Sequence, residues 1–187
     1  MLDEGSGATD KNPADARQSR GTTGVDEQDQ HDPTHEEFTS LEEELLGRGG
    51  ESLVSNEALK HIITRVTDEG LIIELFATDG VPLFTEGTDK PTPLLRDLAR
   101  MIARVTGKVT NDAALGGHIR AHPVVLANNP VWELSGARAD RMRRLLQASG
   151  MEPERMRRVT GHADRQPVVE NPMAKRNNRI EVILLRN

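Results

Sequence analysis

The chain has 187 residues, 35% of them hydrophobic and only 2% aromatic, with 24 Lys and Arg against 30 Asp and Glu for a formal charge of −6. That length suits one domain with a core plus a tail rather than two full domains, and the core must be built from Leu, Ile, Val, Ala and Met. The lack of Cys excludes disulfides and Cys-ligated zinc, and charges recur too often for any stretch of 18 residues to span a membrane.

Residues 1–33 are Gly, Ser, Thr, Asp, Gln and Pro with almost no apolar side chains, which predicts a disordered linker. The acidic start is not that of a signal peptide, so an export signal or anchor is expected outside these residues. Thr34 and Glu37 have capping-box spacing, and Phe38, Leu41 and Leu45 follow on one helical face. An amphipathic helix is therefore expected within 34–51, ended by the glycines after Leu46. It either lies on the domain or binds a partner.

The domain proper is expected over 52–187. Ser55 is placed as the N-cap of a helix carrying Leu59, Ile62, Ile63 and Val66 on one face and stopping before Gly70. Leu71 to Phe76 is short and β-rich, hence a strand. Pro93 suits the first turn of a helix whose buried stripe is Leu94, Leu95, Leu98, Met101, Ile102 and Val105, ended by Gly107. Ala113 to Gly117 reads as a strand of small residues. A third helix is expected from Val131 to Ser149, with Leu134, Ala137, Met142, Leu145 and Leu146 inward and Gly150 as its stop. Strands at Arg157–Gly161 and Arg179–Leu185 complete an order of strand, helix, strand, helix, strand, strand. That order predicts an α/β (α+β) domain, a mixed sheet with helices packed on one side.

Residues 113–187 hold 13 Lys and Arg against 7 Asp and Glu, so the net charge there is +6 and the remainder carries −12. A ligand face in the basic half favours an acidic partner; nucleic acid is disfavoured because basic clusters interleaved with aromatics are missing. An internal repeat marks the place: Gly117-His-Ile-Arg-Ala-His-Pro-Val-Val125 and Gly161-His-Ala-Asp-Arg-Gln-Pro-Val-Val169 share Gly, His and Pro-Val-Val in register. Each copy sits where a strand gives way to a loop, so the repeat reflects either a ligand site or a shared turn architecture. His118 and His162 lack the spacing of a metal site, and no nucleophile elbow accompanies them, so loop capping is the plainer reading. Trp132 to Arg138 opens the third helix, whose free N–H groups suit a carboxylate and whose Arg138 can clamp it. Trp132 itself is expected in the core. The run Arg138, Arg141, Arg143 and Arg144 is partly a solvated face, and Lys175 to Arg179 is a last cluster.

Together, Leu83-Phe-Thr-Glu-Gly87, Gly117-His118, Trp132-Glu-Leu-Ser-Gly-Ala-Arg-Ala139, Gly161-His-Ala-Asp164 and Asn177-Asn-Arg-Ile-Glu181 resemble the OmpA-like peptidoglycan-binding domain, in particular its flagellar stator branch, the MotB-type proteins. The resemblance covers roughly residues 52–187. It implies a βαβαββ sheet fold, a homodimer, and a non-catalytic, cofactor-free and metal-free grip on the diaminopimelate-containing stem peptide of peptidoglycan. It further implies a periplasmic domain joined by an inner-membrane helix to a MotA-type subunit, with residues 38–46 standing where either a plug segment or a helix refolded on activation would. Residue by residue, Leu134, Ser135 and Arg138 match the family's Leu-Ser-x-x-Arg, whose arginine clamps a carboxylate; Asn177 and Arg179 match its Asn-Arg-Arg. His118 matches the loop Gly-His-Thr-Asp, but Arg120 stands where its Asp holds the ligand's amine. Either Asp164 of the sister loop supplies that carboxylate, or Arg120 meets a second acid or a glycan oxygen. The alternatives are an interaction domain that has lost the ligand, or a hydrolase using His118, His162 and Asp164.

Overall fold

The computed structural model describes residues 33–47, 55–123 and 130–186. The linker expected over 1–33 lies outside these residues but for Pro33, as do the glycines at 49 and 50 and the Val-Val of the first repeat copy.

Helix α1 (Pro33–Leu45) buries Phe38, Leu41 and Leu45 in the same apolar cluster as the sheet. It is therefore docked, with Lys108 Nζ 2.6 Å from the Glu44 carboxylate and the Thr64 hydroxyl donating to Glu42. The segment expected to be one helix from Ser55 to Val66 divides instead. Helix α2 (Asn56–Leu59) is a single turn capped by Ser55 Oγ, and Ile62–Val66 is strand β1. The apolar spacing there fits a helix, but Ile, Ile, Thr and Val are stiff β-branched residues, and strand β2 (Gly70–Phe76) offers an antiparallel partner with Ile62 opposite Leu75. Five strands form where four were expected. Gly70, at φ +145°, lets the hairpin turn beneath the last strand; a Cβ there would sit 1.8 Å from the Leu184 carbonyl oxygen.

Helix α3 (Pro93–Thr106) starts as expected, with Thr92 Oγ accepting from Leu95 N and proline in the first turn. Strand β3 (Ala113–His118), helix α4 (Val131–Ala148), strand β4 (Met156–Gly161) and strand β5 (Arg179–Leu185) follow. The sheet order is β1-β2-β5-β3-β4, and only β3 and β4 run parallel. Alternation along the strands gives its faces opposite characters. The rows Ile73–Val182–Leu115 and Leu75–Ile180–Gly117 lie under the helices. The rows Glu74–Glu181–Gly116 and Phe76–Arg179–His118 lie on the other face.

The small residues of β3 now have a reason. A Cβ on Gly117 would be 2.2 Å from the Ser135 carbonyl oxygen, and one on Gly161 would be 2.6 Å from Ser135 Oγ and from Gly136 N. The start of α4 therefore rests directly on the ends of β3 and β4. This contact sets the rotation of the helix: its buried residues are Val131, Ser135, Arg138, Ala139, Met142 and Leu146, while Leu134, Ala137 and Leu145 are only half-buried. Trp132, expected in the core, is 55% exposed on the opposite side of that first turn. A bulky indole has no room against backbone packed this closely.

Candidate functional site

The ends of β2, β3 and β4 and the start of β5 share one edge of the sheet, where the loop after β2 and the first turns of α4 enclose a cavity of about 330 Å³. Its walls include Phe84, His118, Arg120, Leu134, Arg138 and Arg179.

Arg138 is the most constrained of these. It is 6% exposed, its Nε donates to the Thr88 carbonyl at 2.9 Å, and its guanidinium lies 4.8 Å above the Phe84 ring. Burial pulls its pKa down to about 10, with Asp89 opposing the shift. Asp89 itself is taken by Arg141, whose Nε and a terminal nitrogen reach the same carboxylate oxygen at 3.0 and 2.7 Å. Among the described residues no carboxylate lies within ion-pair distance of Arg138. A cation held by a carbonyl and a ring, with no acid in direct contact among the described residues, is prepared for an anion from outside. Leu134, one turn earlier, lines the same cavity and gives the ligand an apolar wall.

The repeat resolves into a parallel pairing. Ile119 N donates to Ala163 O and His162 N donates to Gly117 O, both at 2.8 Å, which brings the two loops side by side. His118 and His162 stack with centroids 4.5 Å apart and planes 7° from parallel. His118 lines the cavity, and His162 does not. His118 Nε2 is 3.3 Å from Glu181 Oε2, off the direction a hydrogen bond needs, and neither ring nitrogen is hydrogen-bonded. Burial lowers the His162 pKa, and His118 alongside lowers it further. For Glu181, burial pushes upward, but contact with His118 and the charge of Arg179 prevail and hold the carboxyl at about 2.

The remaining expected site residues fall in two groups. Arg120 lines the cavity, its backbone N–H donating to Asn178 Oδ1 at 2.9 Å and its guanidinium 3.5 Å from Glu86, whose side chain is 93% exposed. Arg179 also lines it, but two of its donors turn inward, Nε to Glu181 at 3.1 Å and a terminal nitrogen to the Gln166 carbonyl at 2.9 Å. Ser135, Asn177 and Asp164 are not in the wall. Ser135 Oγ donates to Trp132 O and accepts from Ala163 N, pinning Ala163 in its left-handed conformation at φ 52°. Asn177 is buried, accepting from Val168 N and donating to the Asn171 and Pro172 carbonyls, and so fastens the long loop before β5. Asp164 leans on Arg165 at 3.6 Å, outside the cavity, so it is not placed to replace the missing acid.

Phe84 lines the cavity without a role given to it from sequence, while Lys175 and Asn178 bring the cluster before β5 into the same wall. Phe84 sits in a segment whose motif was evident; its ring under Arg138 depends on how the loop folds back over α4.

No protein-family model matches the chain. Over 128 residues it is 30% identical to Motility protein B of Escherichia coli strain K12, which takes in 67% of this chain and 42% of that protein, so the chain spans well under half the length of this relative. The crystal structure of the periplasmic domain of Helicobacter pylori MotB superposes with a TM-score of 0.57 at 20% identity, covering 67% of this chain and 80% of that one. The cell wall anchor of the T6SS from Pseudomonas aeruginosa gives a TM-score of 0.60 at 23% identity over 76% of this chain and 97% of that one. The fold is thus that of periplasmic MotB domains, and the sequence is homologous to Motility protein B.

Proposed function

We propose that this chain, a homologue of Motility protein B with the fold of a MotB periplasmic domain, grips the stem peptide of peptidoglycan without chemistry and so anchors a flagellar stator to the cell wall. The observation that carries the reading is Arg138, buried and, among the described residues, in contact with no carboxylate, at the wall of a cavity large enough for a short peptide segment. Its guanidinium meets a carboxylate of the stem's diaminopimelate, while Leu134 and Phe84 pack on the methylenes. A cell wall anchor stands among the structures of like fold, which supports the same use of this edge. His118, Arg120 and Arg179 complete the wall; Ser135 and Asn177 act by holding the loops that form it.

The resemblance carries the rest of the proposal. The domain works in the periplasm as a homodimer, tethered by an inner-membrane helix that also joins it to a MotA-type subunit. No helix among the described residues is long and apolar enough to cross a membrane.

Pull-down with purified sacculi tests the grip. Truncating one partner of a buried charged pair costs about 2–5 kcal/mol, roughly a 30-fold or greater loss, so Arg138→Ala is expected to abolish retention while its circular dichroism stays that of the parent. Retention equal to the parent's refutes the reading.

A further inference from the structure

Two of the four cations in the cavity wall already face acids of this chain. Arg179 is engaged by Glu181 and Glu74, and Lys175 Nζ lies 3.3 Å from Asp79. Arg138 and Arg120 remain for a ligand, and Arg120's own contact is a long one to an exposed glutamate. The one carboxylate in the described wall is that same Glu86, which points mostly into solvent. Among the described residues the wall therefore holds no buried acid to receive an ammonium, and Arg120 repels one. At the edge of the same wall lies His118, with its side chain 1% exposed and neither ring nitrogen hydrogen-bonded. Its Nε2 already faces the Glu181 carboxylate at 3.3 Å and its ring stacks on His162, so it offers the cavity neither an acid nor an open nitrogen.

An acyl amide has no charge for Arg120 to repel and a carbonyl that accepts from a guanidinium. Resting on the stem-peptide reading above, we infer that the cavity selects a stem whose side-chain amine is acylated, as it is at a cross-link, over one whose amine is free. The carboxylate beside that amine goes to Arg138. The amide carbonyl accepts from Arg120. Arg120 is then a specificity-determining residue, turning an amine site into an acyl-amide site.

The test is a calorimetric titration of the full chain with two peptides, L-Ala-γ-D-Glu-meso-diaminopimelate and the same peptide acetylated on the diaminopimelate side-chain amine. The acetylated peptide is expected to bind at least about tenfold more tightly, a difference of roughly 1.4 kcal/mol. Arg120→Asp reverses the preference. Arg120→Gln, closer in shape and uncharged, brings the two peptides near parity and carries the test if the aspartate variant does not fold. Equal or tighter binding of the free amine by the parent overturns the inference and leaves the stem-peptide reading standing. Binding of neither peptide overturns both.

Discussion

Adding a single methyl at Gly117 tests whether the seam between α4 and the sheet positions the site. A Cβ there would lie 2.2 Å from the Ser135 carbonyl oxygen and 3.2 Å from the Ala139 Cβ, where ordinary contact begins at 3.4 Å, so α4 must withdraw by about 1.2 Å. Backbone offers no rotamer by which to escape. Overpacking of this kind costs about 1–3 kcal/mol, and at about 2–4 °C per kcal/mol for a domain of this size Gly117→Ala should melt roughly 2–12 °C below the parent. Because Leu134 and Arg138 ride on the helix that moves, retention on sacculi should fall as well. Gly136 supplies the control on the same helix turn: a Cβ there meets nothing within 4 Å. Gly136→Ala should stabilise by about 0.5–1 kcal/mol through helix propensity and leave binding unchanged. Thermal melts by circular dichroism and pull-down on the same preparations read both effects. A Gly117→Ala protein that melts with the parent and binds as well would refute the argument that this glycine sets the seat of α4.

The docking of α1 rests on Phe38, which is fully buried; Phe38→Ala should cost about 3–5 kcal/mol and make residues 33–47 cleavable by protease while the rest of the domain resists, and a protected helix would contradict this. Glu181, held at about 2 against a usual 4.5, gives a dependence on pH. The unfolded chain binds that proton first as pH falls, so the stabilisation is full above 4.5 and is lost toward 2, on the order of 2 kcal/mol after allowance for solvent around the pair. Glu181→Gln should flatten the acid limb of a denaturation series, and an unchanged limb would remove Glu181 as its source.

The elements legible in sequence were those whose signal is local. Pro93 to Gly107 has a helix start, an unbroken apolar stripe and a stop, and it forms as read. Arg179 to Leu185 alternates as a strand should and lies in the middle of the sheet. Arg138 was legible as an anion clamp candidate because a helix start and an arginine one turn on are features of a single segment. The motifs that carry the family resemblance were equally plain, being strings of adjacent residues.

What sequence could not determine depended on partners far along the chain. Ile62 to Val66 has helical spacing, and only β2, turning back at Gly70, makes it a strand. Whether Ser135 and Asn177 touch a ligand or a loop is invisible in their identities; both hydroxyl and amide are used up by backbone groups that the fold brings to them. The rotation of α4, with Trp132 outward and Arg138 inward, follows from two glycines on different strands that let a helix backbone approach to contact distance. Periodicity tells which residues share a face. Which face is inside, and what each polar atom there still has free for a ligand, is decided by close packing between segments and so by tertiary structure alone.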